Sequence, residues 1–144
     1  MPVVAWMLVI SFASTDLMSA AHTSRFIGPF LRWLAPEISA ASILAVQFFV
    51  RKAAHLTEYA ILAALLLRAL RPGRGKVAMP LLLWTLFIAA AYAMLDEFHQ
   101  SFVTSRTGSP RDVMIDVCGA AVGLALYWIV SLRSASVPAR SQSA

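Results

Sequence analysis

Between Lys76 and Asp96 the chain runs from Val77 to Leu95 without one charged side chain. A stretch of about 20 apolar residues is what a helix needs to cross ~30 Å of hydrocarbon, so this segment constrains the whole chain before any motif is considered. The composition agrees, since 60% of the 144 residues are apolar and 13% are charged, whereas roughly a quarter are charged in a soluble domain. Lipid offers no partner to an exposed backbone N–H or C=O, so spanning segments of this kind are helices that pair those groups internally. The expected fold is all-α: a small polytopic membrane helical bundle with about four spans and one or two interfacial helices. Residues 1–132 are expected to form a single membrane domain, with a polar, disordered tail over 133–144.

The other spans follow from the same reading. Met1 to Thr15 carries no charge and forms a short first span; the basic segment that normally precedes a cleaved leader is missing, so the run is expected to be retained. Asp16 to Val50 mixes small polar residues with Phe26 to Leu34 and then an uncharged stretch from Ile38 to Val50. That stretch is short for a crossing, so the region reads as one or two helices lying at the membrane surface. Arg51 to Leu70 is the second span, stopped by Arg71-Pro72-Gly73. Val77 to Leu95 is the third and Asp112 to Leu132 the fourth, with Phe98 to Arg111 a loop between them.

Three crossings after the surface segment sort the span ends into two groups. Arg51 to Tyr59, Asp96 to Gln100 and Asp112 to Asp116 fall on one side; Arg68, Arg71, Arg74, Lys76, Arg133 and Arg140 fall on the other, with no acid among them. Basic density in the short Arg68 to Lys76 loop makes the second side cytoplasmic.

The first side gathers three polar clusters. In Arg51-Lys52-x-x-His55-x-x-Glu58-Tyr59, the residues Arg51, His55 and Glu58 share a narrow arc at 100° per residue. Arg51 and Lys52 alone could be headgroup anchors. His55 and Glu58 sit deeper, where an ionisable group is costly and is usually paired or functional. In Tyr92-x-x-x-Asp96-Glu97-x-His99-Gln100, the residues Tyr92, Asp96 and Gln100 share a face; adjacent carboxylates are not expected to point inward together, so one of Asp96 and Glu97 serves the site while the other caps a helix or meets solvent. The third cluster is Arg106 and then Arg111-Asp112-x-x-x-Asp116, whose carboxylates lie one turn apart. Asp112 after Pro110 also suits a helix N-cap, while Asp116 lies inside the apolar run. Gly119 and Gly123 continue near the Asp116 face as a small-residue strip that draws a neighbouring helix close. The clusters hold five of the seven acids and two of the three histidines. Their convergence can equally be a salt-bridge network that locks short spans together.

Several functions fit poorly. The net charge of +5 is spread thinly, with no basic face or reading motif, so no nucleic acid is expected as a partner. A single cysteine, Cys118, rules out an internal disulfide or a CxxC motif and reads as a packed or lipid-facing thiol. A divalent metal held by these carboxylates and histidines is a variant reading, but no compact ligand motif of the HExxH kind supports it, so no metal is assigned and the cofactor stays unknown. Transport by a monomer is disfavoured because the other halves of the spans hold no acid.

Four blocks in order carry a resemblance: Arg51-Lys52-Ala53-Ala54-His55-Leu56-Thr57-Glu58-Tyr59, Leu95-Asp96-Glu97-Phe98-His99-Gln100, Arg106-Thr107-Gly108, and Asp112-Val113-Met114-Ile115-Asp116-Val117-Cys118-Gly119. Together they resemble the VanZ-like family of bacterial membrane proteins, named for a protein associated with low-level resistance to teicoplanin, a glycopeptide antibiotic acting on the cell envelope. The resemblance implies a multi-pass protein of the bacterial inner membrane. It transfers polar positions onto Arg51, Lys52, His55, Glu58, Asp96, Glu97, His99, Gln100, Arg106, Asp112 and Asp116.

Joined to the residue chemistry, this gives an expected site facing the extracytoplasmic side, among membrane lipids, that binds or modifies an anionic lipid-linked envelope precursor or a glycopeptide. Arg51, Lys52 and Arg106 would hold phosphate or carboxylate oxygens, with Glu97, His99, Gln100 and Asp112 as further binding residues. His55 and Glu58 would form an acid/base pair, with Asp96 and Asp116 completing the reacting set. The alternative is a non-catalytic protein that binds or shields an envelope target with the same cationic rim. Replacing Glu58 or Asp116 by an uncharged isostere separates the two, because only an enzyme loses its effect while still binding.

Overall fold

A computed structural model describes residues 2–15, 20–73, 77–102 and 108–135. Arg106, the Arg74 to Lys76 end of the basic loop and the end of the tail from residue 136 lie outside the described residues. Five helices follow one another, with no strand among the described residues: α1 (Pro2–Ala13), α2 (Ala20–Leu34), α3 (Ala40–Leu70), α4 (Met79–Gln100) and α5 (Pro110–Ala135).

Three of them, α3, α4 and α5, are long and apolar enough to cross a membrane. The expected first span, and with it the count of four, is not confirmed: α1 has 12 residues, about 18 Å at 1.5 Å per residue, well short of ~30 Å of hydrocarbon. The surface segment is also redrawn. Ile38 to Val50 is not a separate interfacial stretch, because α3 starts at Ala40 and continues unbroken through Arg51 and Lys52 to Leu70. No glycine or proline lies between Pro36 and Pro72, so nothing interrupts the backbone ladder. The resulting 31-residue helix is about 46 Å long. At its start the Ser39 side chain accepts the Ser42 N–H at 3.1 Å, which satisfies one of the orphan donors of the first turn. At its end Arg71 turns extended, just ahead of Pro72.

The outside of the bundle is covered by large apolar side chains, while its apolar core of Ile10, Tyr59, Leu62 and Leu67 is interleaved with small and polar ones. Leu83, Trp84, Phe87 and Leu95 on α4, and Met114, Leu126 and Val130 on α5, are exposed. Buried between the helices are Ala63, Ala89, Ala93 and Ala120, together with His55, Asp96, Glu97, Gln100 and Asp116. Small and polar side chains at the helix contacts with large apolar ones facing outward is the arrangement expected when lipid is the solvent. The hydroxyls of Thr57 and Thr85 return to carbonyls one turn back, those of Ala53 and Leu81, each at 2.7 Å, so neither helix carries an unpaired donor there.

The principal interface is α3 against α5. Four facing pairs, Lys52 with Asp112, His55 with Asp116, Leu56 with Gly119 and Ala60 with Gly123, climb together along both helices. The two therefore run parallel, with α4 returning between them. A Cβ at Gly119 would overlap the Leu56 carbonyl and one at Gly123 the Ala60 carbonyl. The expected small-residue strip thus brings two backbones into direct contact, and both glycines are buried. Helix α2 packs on the first half of α3, where Gly28 approaches Ile43 and Gln47. It keeps Phe26, Phe30 and Trp33 exposed beside Arg25 and Arg32.

Candidate functional site

Parallel packing of α3 and α5, with α4 antiparallel, brings the start of α5, the C-terminal end of α4 and the middle of α3 to one end of the bundle. The Nδ1 of His55 lies 3.2 Å from Asp116 Oδ1, with His55 8% exposed and Asp116 fully buried. The imidazole thus meets Asp116, a partner that the sequence, which pairs His55 with Glu58, does not suggest. Glu58 is half-buried, and its carbonyl accepts the Trp6 Nε1–H of α1 at 2.9 Å. One turn nearer the end of the bundle, Lys52 forms an ion pair with Asp112 and lies 5.2 Å from the centre of the Phe48 ring. Arg51 precedes it, half-buried.

Asp96 and Glu97 depart from expectation, because both are buried and neither meets solvent. Consecutive helical residues point about 100° apart, and α4 has a different neighbour in each direction. Asp96 turns to α1, where its Oδ2 accepts the Ser14 hydroxyl at 2.8 Å and the Gln100 amide at 3.0 Å; that amide also reaches Ser14 Oγ at 3.2 Å. Tyr92, on the same face as expected, donates to the Met7 carbonyl at 2.8 Å and meets Ser11 Oγ at 2.9 Å. Glu97 turns the other way, and its Oε2 accepts the Ser109 N–H at 2.7 Å. Gly108 makes this possible: a Cβ there would lie 2.6 Å from the Glu97 carbonyl oxygen and 3.1 Å from the Ser101 Cβ. Only a residue without a side chain lets the segment ahead of α5 fold that close over the end of α4.

The structure thus brings together Lys52, His55, Asp112, Asp116 and Glu97 on one side of α4, and Asp96 with Gln100 on the other. It does not bring in His99, which is exposed. Sequence reasoning missed Ser14, whose only signal is a hydroxyl at the end of an apolar run. It also missed Ser109, which acts through its backbone and so leaves no trace in residue type.

Three buried oxygens at this end, Tyr59 Oη, Glu97 Oε1 and Asp116 Oδ2, have no hydrogen-bond partner among the described residues. Leaving such an acceptor unpaired costs about 1–3 kcal/mol, and more when it is charged. Held in this way the carboxylates are ready for an incoming donor or cation. One ligand atom from each of His55, Glu97 and Asp116 lies within 4.8 Å of the other two, a grouping that could hold a metal ion. No linear motif announces it, because the three residues come from three helices.

No curated protein and no solved structure matches the chain. A family model described as VanZ/LLP1 matches residues 1–131, which takes in α1 and all four of the polar blocks that carried the resemblance. With its three membrane-length helices and its polar residues folded inward at one end, the chain belongs to the VanZ/LLP1 family.

Proposed function

We propose that this protein binds an anionic, lipid-linked component of the cell envelope at the polar end of the bundle and acts on its headgroup, with the site on the extracytoplasmic side of the inner membrane. The observation that carries this reading is a buried set of ionisable side chains, His55, Glu97 and Asp116, with two carboxylate oxygens that have no partner among the described residues. Its histidine lies one turn from Lys52 and Arg51 on α3, within a bundle whose outer surface is apolar. A lipid-linked molecule can lie along that outer surface and lift its headgroup to the polar end. Lys52, already paired with Asp112, and Arg51 would meet the headgroup's oxygens by charge-assisted hydrogen bonds, joined by Arg106. Asp96, fixed by Ser14 and Gln100, supports the neighbouring Glu97 from the other face of α4. Reduced susceptibility to a teicoplanin-type glycopeptide is the cellular effect that such handling of an envelope precursor would produce.

The test is the lipid content of the purified protein. Mass spectrometry of lipids copurified with the wild-type chain should show an anionic or isoprenoid-linked species enriched over the bulk membrane extract. A double Arg51→Ala, Lys52→Ala variant should lose that enrichment. A lipid profile identical to the bulk membrane would overturn the reading.

A further inference from the structure

We infer that His55, Glu97 and Asp116 form a binding site for a divalent first-row transition metal ion of the Zn2+ or Mn2+ kind. The three side chains come from α3, α4 and α5, all are at least nine-tenths buried, and one ligand atom from each lies within 4.8 Å of the others. The 3.2 Å contact between His55 Nδ1 and Asp116 Oδ1 holds these two side chains against each other and leaves the other imidazole nitrogen, Nε2, and Asp116 Oδ2 as the atoms to meet an ion.

The unpaired atoms point to a ligand independently of that spacing. Glu97 is anchored through Oε2 to the Ser109 N–H, which leaves Oε1 buried and without a partner among the described residues. Asp116 is anchored through Oδ1 to His55, which leaves Oδ2 in the same condition. Each carboxylate therefore has one oxygen committed to orientation and one uncommitted, as outer contacts orient the ligands of a metal centre. A cation satisfies both orphaned oxygens together, and its binding releases any proton the imidazole and carboxylates then share. One imidazole nitrogen with two carboxylate oxygens suits a borderline ion better than a soft one, and only three protein ligands leave a position open. An ion so placed would supply Lewis-acid capacity toward a phosphoryl or carboxylate oxygen.

This inference names a cofactor for the site proposed above, but it stands on the three side chains and needs no lipid, so its test is separate. The full-length protein, purified in detergent and stripped with a chelator, is titrated with Zn2+ and with Mn2+ by calorimetry, and its metal content is measured after desalting. The expected result is about one ion per chain for one of the two metals, with thermal unfolding shifted upward in the loaded protein. Co2+ loaded into the wild type should show the visible bands of a four- or five-coordinate nitrogen and oxygen site, a readout that requires no variant. His55→Ala, Glu97→Gln and Asp116→Asn should each weaken binding at least tenfold, while Glu37→Gln, an exposed acid on the segment ahead of α3, should leave it unchanged. Failure of the wild type to bind either metal overturns the inference. So does loss of binding in His99→Ala with retention in the three site variants, which would mark adventitious binding at an exposed histidine.

Discussion

At the residue scale, the informative side chains are the polar ones that the bundle takes inward. Lys52 with Asp112 is a partly exposed pair, about one-fifth of each side chain accessible, and such pairs contribute on the order of 1 kcal/mol or less. Lys52→Met should therefore lower thermal stability only slightly while abolishing retention of an anionic lipid. His55→Ala is different, because it strips a fully buried carboxylate of its described partner. Breaking a buried pair in this way costs about 3–5 kcal/mol, which denaturant titration in detergent would register as a large loss. The sequence allowed His55 and Asp116 to be selected, since each is an ionisable group inside an apolar run. It did not allow them to be paired with each other, because Glu58 lies closer to His55 along the helix. The pairing is decided by the parallel register of α3 and α5.

At the element scale, the register of α3 on α5 depends on two glycines. Placing a methyl group at Gly119 or Gly123 forces the backbones apart at Leu56 or Ala60, and overpacking of this kind costs about 1–3 kcal/mol. Gly119→Ala should destabilise the fold by that amount and also separate His55 from Asp116. Gly108→Ala acts on a different contact. Its Cβ would meet the Glu97 carbonyl, displacing the Ser109 N–H from Glu97, with a stability loss of about 1 kcal/mol for the hydrogen bond measurable by the same unfolding assay. The glycine strip was legible because it repeats at four-residue spacing inside a span. The burial of both Asp96 and Glu97 was not, since it requires knowing that α4 has α1 on one side and α5 on the other. The fusion of Ile38 to Val50 with the following helix was written in the absence of glycine and proline, but the charge of Arg51 and Lys52 suggested a boundary there.

At the scale of the whole molecule, three of the four expected spans and the gathering of polar residues at one end were readable from hydropathy and topology. The length of the first helix and the meeting of three helices at one buried cluster were not, because both depend on contacts distant in sequence. The proposed orientation has its own test. In a Cys118→Ala background, a single cysteine replacing exposed His99, at the polar end, should react with a membrane-impermeant thiol reagent added to intact cells. One replacing Gly73, beyond the far end of α3, should react only after permeabilisation. The opposite pattern would reverse the orientation.

The central claim is that the buried polar set is a working site and not a lock holding three short spans together. Asp116→Asn separates these directly, because the amide keeps the shape of the side chain and a hydrogen bond to His55 while removing the charge. The measurement is thermal stability and copurified lipid on one purified sample, together with the glycopeptide susceptibility of cells that carry the variant. The account predicts a midpoint within a few degrees of the wild type, with loss of the cellular effect and the bound anionic lipid still present. Unfolding of the variant by tens of degrees, or a stable variant that retains the full cellular effect, would contradict it.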